Sequence, residues 1–237
     1  MTPDPSILLE KTGISRPLVG LYDAPEKEPF APFAQPSQCI FENYGDWMNG
    51  KATFITEETF TCGGAGYTYF GVRERSREEF LEFLADTEGL KESRELMGKW
   101  MEKYTPYRRE NRYIIIGPLR EDQFRYLKTV TFFVNPDQLS ALTIGAQYHS
   151  SPEDITPVIA PFGSGCSMLV SLFEDLEAPQ GLVGSTDIAM RQHLPPDVLS
   201  FTATLPMYER LCRLDEDSFL FKPFWKRLMR ARGENMK

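Results

Sequence analysis

The chain has 237 residues, 41% hydrophobic and 25% charged, with a formal net charge of −8. That is the composition of a globular protein with a real core, and it argues against extensive disorder. The acidic balance argues against nucleic acid or an anionic membrane as the main partner, because phosphate backbones and anionic lipids are bound by clustered Lys and Arg.

Residues 1–16 are polar and contain proline, and read as an N-terminal arm or short first helix. The stretch from Met1 to Ser6 lacks a basic segment followed by an apolar one, so no signal peptide is expected. No apolar run approaches the ~20 residues of a membrane span. The expected location is cytoplasmic. Pro17 to Tyr22 reads as a first buried strand. Residues 24–36 hold four prolines and form an extended loop, since proline cannot serve a helix interior. Pro36-Ser37-Gln38-Cys39 has the form of a helix start, with Ile40, Phe41, Tyr44, Trp47 and Met48 at helical spacing after it and Gly50 at its end. Lys51 to Thr56 alternates and is β-branched, which predicts a strand.

A glycine-rich turn follows, Thr61-Cys62-Gly63-Gly64-Ala65-Gly66-Tyr67. Ser76 with Glu79 has the form of a capping box, and Leu90 to Tyr104 reads as a second helix. Tyr113 to Leu119 and Val130 to Val134 read as core strands. Asn135-Pro136-Asp137 predicts a helix start, with Asn as the N-cap and Pro at the first position. Pro157 to Ala160 reads as a short strand running into Phe162-Gly163-Ser164-Gly165-Cys166, followed by a helix on Met168, Leu169, Leu172 and Phe173. Gly181 to Gly184 and Leu199 to Thr204 read as strands. Phe221, Phe224, Trp225 and Leu228 mark a last amphipathic helix, which runs into a basic tail at 230–237. Helices and strands alternate without a strict βαβ period. This predicts an α+β fold, one domain over residues 1–237, with a single mixed β-sheet and helices packed against it.

The four cysteines, Cys39, Cys62, Cys166 and Cys212, include no CxxC pair, so zinc-ribbon and thioredoxin patterns are absent. In a cytosolic chain free thiols are expected. Cys39 and Cys166 are read at helix starts and Cys62 in a glycine turn, settings whose backbone N–H groups stabilise a thiolate. Cys39, Cys62 and Cys166 are therefore the candidate ligands for a soft metal or an iron–sulfur centre, and Cys62 and Cys166 the candidate nucleophiles. The competing reading is a buried structural cysteine, which suits Cys212 best. Gly64-Ala65-Gly66 and Gly163-Ser164-Gly165 begin like dinucleotide fingerprints but lack the third glycine, and no Walker loop is present. Cys62, Gly63, Gly64, Gly165 and Cys166 are the candidate walls of a cofactor pocket.

His149 continues an apolar stripe of the Asn135 helix and is the candidate general base, against a packing role. His193 reads as an exposed loop residue. Asp187 and Arg191 stand four apart, so on a helix they would share a face, and Arg191 could grip an anionic ligand. Two basic runs, Arg108-Arg109 with Arg112 and the group Lys222 to Arg232, read as solvated faces. A faint internal echo links the Cys39 helix and the strand after it to the Cys166 helix and its following strand.

The ordered set of motifs resembles the bacterial and archaeal family called domain of unknown function 169. The pieces are Leu18-Val19-Gly20-Leu21, the Cys39 helix, Phe54-Ile55-Thr56-Glu57-Glu58 leading into Cys62-Gly63-Gly64, the Asn135-Pro136 helix, Gly165-Cys166, Asp187 to Arg191, and Leu199-Ser200-Phe201-Thr202. The resemblance implies a cytoplasmic mixed α/β domain with thiols at Cys39, Cys62 and Cys166, and no settled activity or cofactor. Family members often carry a further Cys near residues 183–191, where this chain has Val183. Three functions stand: a protein binding a small ligand or cofactor, a cysteine-dependent enzyme or soft-metal protein, and a structural or interaction module. A homo-oligomer is compatible with each.

Overall fold

The computed structural model describes residues 3–35, 37–56, 58–59, 70, 76–103, 107–151, 157–162 and 165–233. Among them lies one seven-stranded mixed sheet. Its strands are β1 (Val19–Ala24), β2 (Thr53–Ile55), β3 (Tyr113–Pro118), β4 (Leu127–Val134), β5 (Val158–Ile159), β6 (Gly181–Gly184) and β7 (Leu199–Thr204), in the order β2-β3-β1-β4-β7-β6-β5. All neighbours are antiparallel except β5 with β6. The fold is α+β, as the alternation of patterns predicts.

β1 lies between β3 and β4, and all six of its residues are buried. A strand covered on both faces needs apolar residues on both, which is why its sequence does not alternate. One face of the sheet carries Tyr22, Val130, Phe132, Phe201 and Ala203. On it pack α1 (Ser6–Thr12) through Leu8, the helix Pro136–Gln147 through Ala141, Leu142 and Ala146, and the helix Leu205–Cys212 through Met207, Tyr208 and Leu211. The last helix, Pro223–Ala231, joins them through Trp225 and Met229, and Trp225 Nε1 donates to the Lys11 carbonyl (2.7 Å). The opposite face carries Leu21, Ile114, Ile116, Phe133 and Leu182. It is covered by Ile40–Met48 and by the segment 166–173. A smaller third core joins the helix Arg77–Glu82 and its continuation Phe83–Thr87 to the helix Arg94–Lys103 through Phe80, Leu84, Met97 and Met101.

Local signals set the ends of these elements. Asn135 Oδ1 accepts from Gln138 N–H, and Gln138 Oε1 accepts from Asn135 N–H, a complete capping box. Gly50 ends the Tyr44–Met48 helix with φ 86°, a left-handed backbone that glycine adopts without strain. Ser76 Oγ accepts from Glu79 N–H (3.1 Å).

The strand order has an internal regularity. Outward from the central β1–β4 pair run β3 then β2 on one side, and β7 then β6 on the other. The directions match under a half-turn about an axis through the sheet between β1 and β4. Under that half-turn the segment carrying Cys39, just before β2, corresponds to the one carrying Cys166, just before β6.

Asp23 on β1 is fully buried. Its carboxylate accepts from Tyr107 Oη (2.8 Å), Glu110 N–H (2.6 Å) and Asn111 N–H (2.8 Å), so it clamps the segment 107–111 to the sheet. Burial, and then the hydrogen bond to Asp23, push the Tyr107 hydroxyl well above the ordinary phenol range. Asp23→Ala leaves three donors without an acceptor and is expected to cost about 3 kcal/mol in denaturant unfolding. Asp23→Asn, which keeps one accepting oxygen, should recover part of that loss.

Candidate functional site

The described thiols fall into two settings. Cys212, at the end of the Leu205–Cys212 helix, packs against the face that carries Tyr22 and Phe132. Burial pushes its thiol up to about 12, so it is inert at neutral pH. Cys39 and Cys166 lie together on the other face.

Each of the two is held by its own element. Cys39 is the N-cap of a 3-10 turn, Ile40–Asn43, that leads straight into the Tyr44–Met48 helix. Its carbonyl accepts from Glu42 N–H (2.9 Å) and from Ser37 Oγ (2.8 Å). Trp47 Nε1 donates to Thr53 Oγ1 on β2 (3.0 Å), and Phe133 packs against both Tyr44 and Trp47, which seats the element on the sheet. Cys166 opens the 3-10 turn Cys166–Leu169. The sequence pattern predicts a longer helix here. Side-chain bonds to the sheet hold the short turn instead. Thr129 Oγ1 on β4 donates to the Leu169 carbonyl (2.5 Å), and Met168 Sδ accepts from Ser200 Oγ (3.0 Å) and Ser185 N–H (3.1 Å). Ser185 takes a left-handed backbone (φ 62°) and also bonds Ser200 Oγ (2.9 Å). A Cβ on Gly184 would stand 2.3 Å from Met168 Sδ, so this contact needs glycine at 184.

The two thiols meet. Cys166 S–H hydrogen-bonds to Cys39 Sγ, and that bond is the largest cause lowering the Cys39 thiol to about 7. Burial opposes the shift, while Phe41 N–H, bonded to the same sulfur, adds to it. Cys39 is half-buried and Cys166 buried. At neutral pH Cys39 is therefore substantially thiolate, with a second thiol in contact.

Two carboxyls, Glu42 and Asp187, act on the pair through their charge. Asp187 caps the helical turn Ile188–Arg191, with Oδ1 accepting from Ala189 N–H (2.8 Å) and Met190 N–H (3.3 Å). Its other oxygen rests on Gly165, where a Cβ would come within 2.7 Å of Oδ2. Burial raises Asp187 above the usual carboxylate range, outweighing its two backbone bonds. Burial and then the charge of Asp187 raise Glu88. The negative charge of Asp187 also opposes ionisation of Cys39.

The remaining candidates sit elsewhere or outside the described residues. Cys62, Gly63 and Gly64 lie outside them. His149 is exposed, two residues beyond the end of the Pro136–Gln147 helix, with its ring against Tyr148 (4.9 Å). That helix packs on the sheet face opposite the thiol pair. Arg191 does not pair with Asp187. It donates to the carbonyls of Val198, Pro195 (3.3 Å) and Pro196 (2.9 Å), closing the loop before β7. Among the described residues no three His, Cys, Asp or Glu side chains are grouped to hold a metal ion, so a three-thiolate centre would need Cys62. Glu88 was not visible as a site residue in the sequence. Ser37 reads only as part of the helix start that carries Cys39.

The fold and the site together define an α+β protein built on one mixed sheet, with two free thiols in contact beside the half-buried carboxyl of Asp187. Residues 7–213 match the family described as Uncharacterised ArCR, domain of unknown function 169, and the chain belongs to that family. No curated protein and no solved structure matches the chain. Among the described residues no helix is long and apolar enough to cross a membrane.

Gly165→Ala is expected to displace Asp187 and destabilise the fold by about 1–3 kcal/mol. In an Asp187→Ala background, where the closest contact is gone, the same change should cost less. The coupling is read from the difference in unfolding free energies around the double-mutant cycle.

Proposed function

We propose that the protein is a cysteine-dependent one, in which Cys39 is the attacking thiolate and Cys166 its partner, acting on a small thiol-reactive ligand such as an organic disulfide. The observation that carries this reading is the hydrogen bond from Cys166 to Cys39, which brings Cys39 to about 7. A thiol of that pKa combines a large thiolate fraction with retained nucleophilicity at neutral pH. Its half-buried position leaves it open to a small molecule, while the buried Cys166 meets the ligand only through Cys39.

The chemistry balances with a disulfide as substrate. The Cys39 thiolate attacks one sulfur and expels the other as a thiolate, forming a mixed disulfide. Cys166 gives up its proton and attacks Cys39 Sγ, which releases the second substrate sulfur and leaves a Cys39–Cys166 disulfide. The substrate takes up two electrons and the protein dithiol loses them. Asp187, raised by burial and close enough for its charge to act on Cys39, is the proton carrier of the pair. Gly165 lets the Asp187 carboxyl lie against the backbone beside Cys166. The reading sets the protein in the cytoplasm, where thiols are kept reduced and the pair would be re-reduced.

The test is the pH dependence of iodoacetamide alkylation, followed peptide by peptide with mass spectrometry. Cys39 should be the fastest-reacting of the described cysteines, with an inflection near 7. Cys166→Ala should move that inflection up by about a unit or more, toward the ordinary thiol value. Cys166→Ser, which keeps a hydroxyl donor, should hold it low. An unshifted inflection in Cys166→Ala, or a Cys39 that reacts only above the ordinary thiol range, would overturn the proposal.

A further inference from the structure

The structure contains a concave site that the thiol chemistry does not use. It is a cleft of about 580 Å³ against β2 and β3, with Phe54 and Tyr113 as its aromatic wall. Three cations line it, Lys27, Arg109 and Arg112, against one carboxylate, Glu58. In a chain of net charge −8 this is a local reversal of sign.

The cations are placed by the protein and, among the described residues, have no acidic partners. Lys27 Nζ lies 4.0 Å from the centre of the Phe54 ring and 5.9 Å from that of Tyr113. The Arg112 guanidinium lies 5.1 Å from the Tyr113 ring centre. Cation–π contacts of this kind fix a cation without neutralising it. Arg109 donates to the Arg112 carbonyl (3.0 Å), which folds the two arginines into one turn. That turn is the segment anchored by the buried Asp23, through Glu110 N–H and Asn111 N–H, and Asn111 Nδ2 also donates to the Asp23 carbonyl (3.0 Å). Neighbouring charges are otherwise engaged, since Lys128 pairs with Glu110 (3.1 Å). Among the described residues none of the three cleft cations forms an ion pair with a carboxylate. Solvated surface cations do not need a buried carboxylate to hold their loop in place. A loop fixed in advance lowers the entropy lost when a ligand is gripped.

We infer that this cleft binds a small molecule through a phosphate or pyrophosphate group, with Arg109 and Arg112 as the fork-shaped donors and Lys27 as the point charge. Guanidinium groups match the planar oxygen pairs of such anions, and an ammonium adds charge without directional demand. The volume accommodates a ligand of nucleotide or sugar-phosphate size. The inference is independent of Cys39 and Cys166.

The test is calorimetric titration of the full-length protein with inorganic pyrophosphate at low ionic strength, with ATP as a second probe. Saturable binding that weakens as salt is added is expected, because exposed charges are screened. Lys27→Ala and Arg112→Ala should each weaken pyrophosphate binding about fivefold or more, as expected for loss of a charged hydrogen-bonding partner. The charge-keeping Lys27→Arg should retain most of it, while Arg112→Lys, which keeps the charge and loses the fork, should retain only part. Arg227→Ala, which removes a cation stacked on Phe224 in the last helix, should leave binding unchanged. ATP binding more tightly than pyrophosphate would support a ligand with an organic body. Equal affinity would support recognition of the phosphates alone. The inference is overturned if wild-type protein shows no saturable heat with either probe. It is also overturned if the Lys27→Ala, Arg112→Ala double variant, shown folded by circular dichroism, binds as tightly as wild type.

Discussion

The pairing of β1 with β4 is the constraint on which the rest of the molecule depends. It joins the two groups of strands into one sheet, with Val19 opposite Thr131 and Gly20 opposite Val130. Because β1 is buried on both faces, its alternate residues serve two cores. Leu21 faces the thiol side and Tyr22 the helix-covered side. Asp23 belongs to the same strand and reaches out to fix the arginine loop. The β1–β4 ladder has an irregularity between Leu21 and Tyr22, where the pairing shifts. Bulges of this kind increase local twist and re-aim side chains.

Much of the fold was legible because its signals are local. The Asn135 cap, the Gly50 stop and the apolar runs of β1, β3 and β4 each depend on a few neighbouring residues, and the structure has them where the patterns put them. The differences arise where tertiary contacts override a local pattern. Met168, Leu169, Leu172 and Phe173 have helical spacing, yet Thr129, Ser185 and Ser200 fasten a short 3-10 turn to the sheet. His149 has the spacing of the buried stripe, but the helix stops at Gln147, before it. The Leu205–Cys212 helix carried its own signals, Thr204 as N-cap and Pro206 in the first turn, which a reading focused on the preceding strand passes over.

The candidate site was legible in its parts and not in its assembly. Cys39 and Cys166 could be read as thiols at the starts of helical turns, the setting that makes a thiolate. Their contact could not, because they are far apart in the chain and only the sheet order brings them together. Asp187 and Arg191 show the same limit. Their spacing suggests a pair, but Asp187 turns back to cap its own turn and Arg191 turns forward to three carbonyls. Glu88 is linked to the site only through the charge of Asp187. The basic run at Arg108 to Arg112 looked like an ordinary wet surface. The buried acid that organises it sits on a strand much earlier in the chain.

The half-turn regularity of the sheet has a consequence for how the thiol pair comes to exist. One sulfur is supplied from the β1-β3-β2 side and the other from the β4-β7-β6 side, and they touch only once both sides are joined. Closing so long a loop costs chain entropy that a single sulfur contact cannot offset, so the sheet's ladder must offset it first. The pair is thus a late product of folding and a witness to its completion. A nascent or partly unfolded chain carries two separate cysteines of ordinary acidity, and the acidic sulfur appears only with the whole molecule.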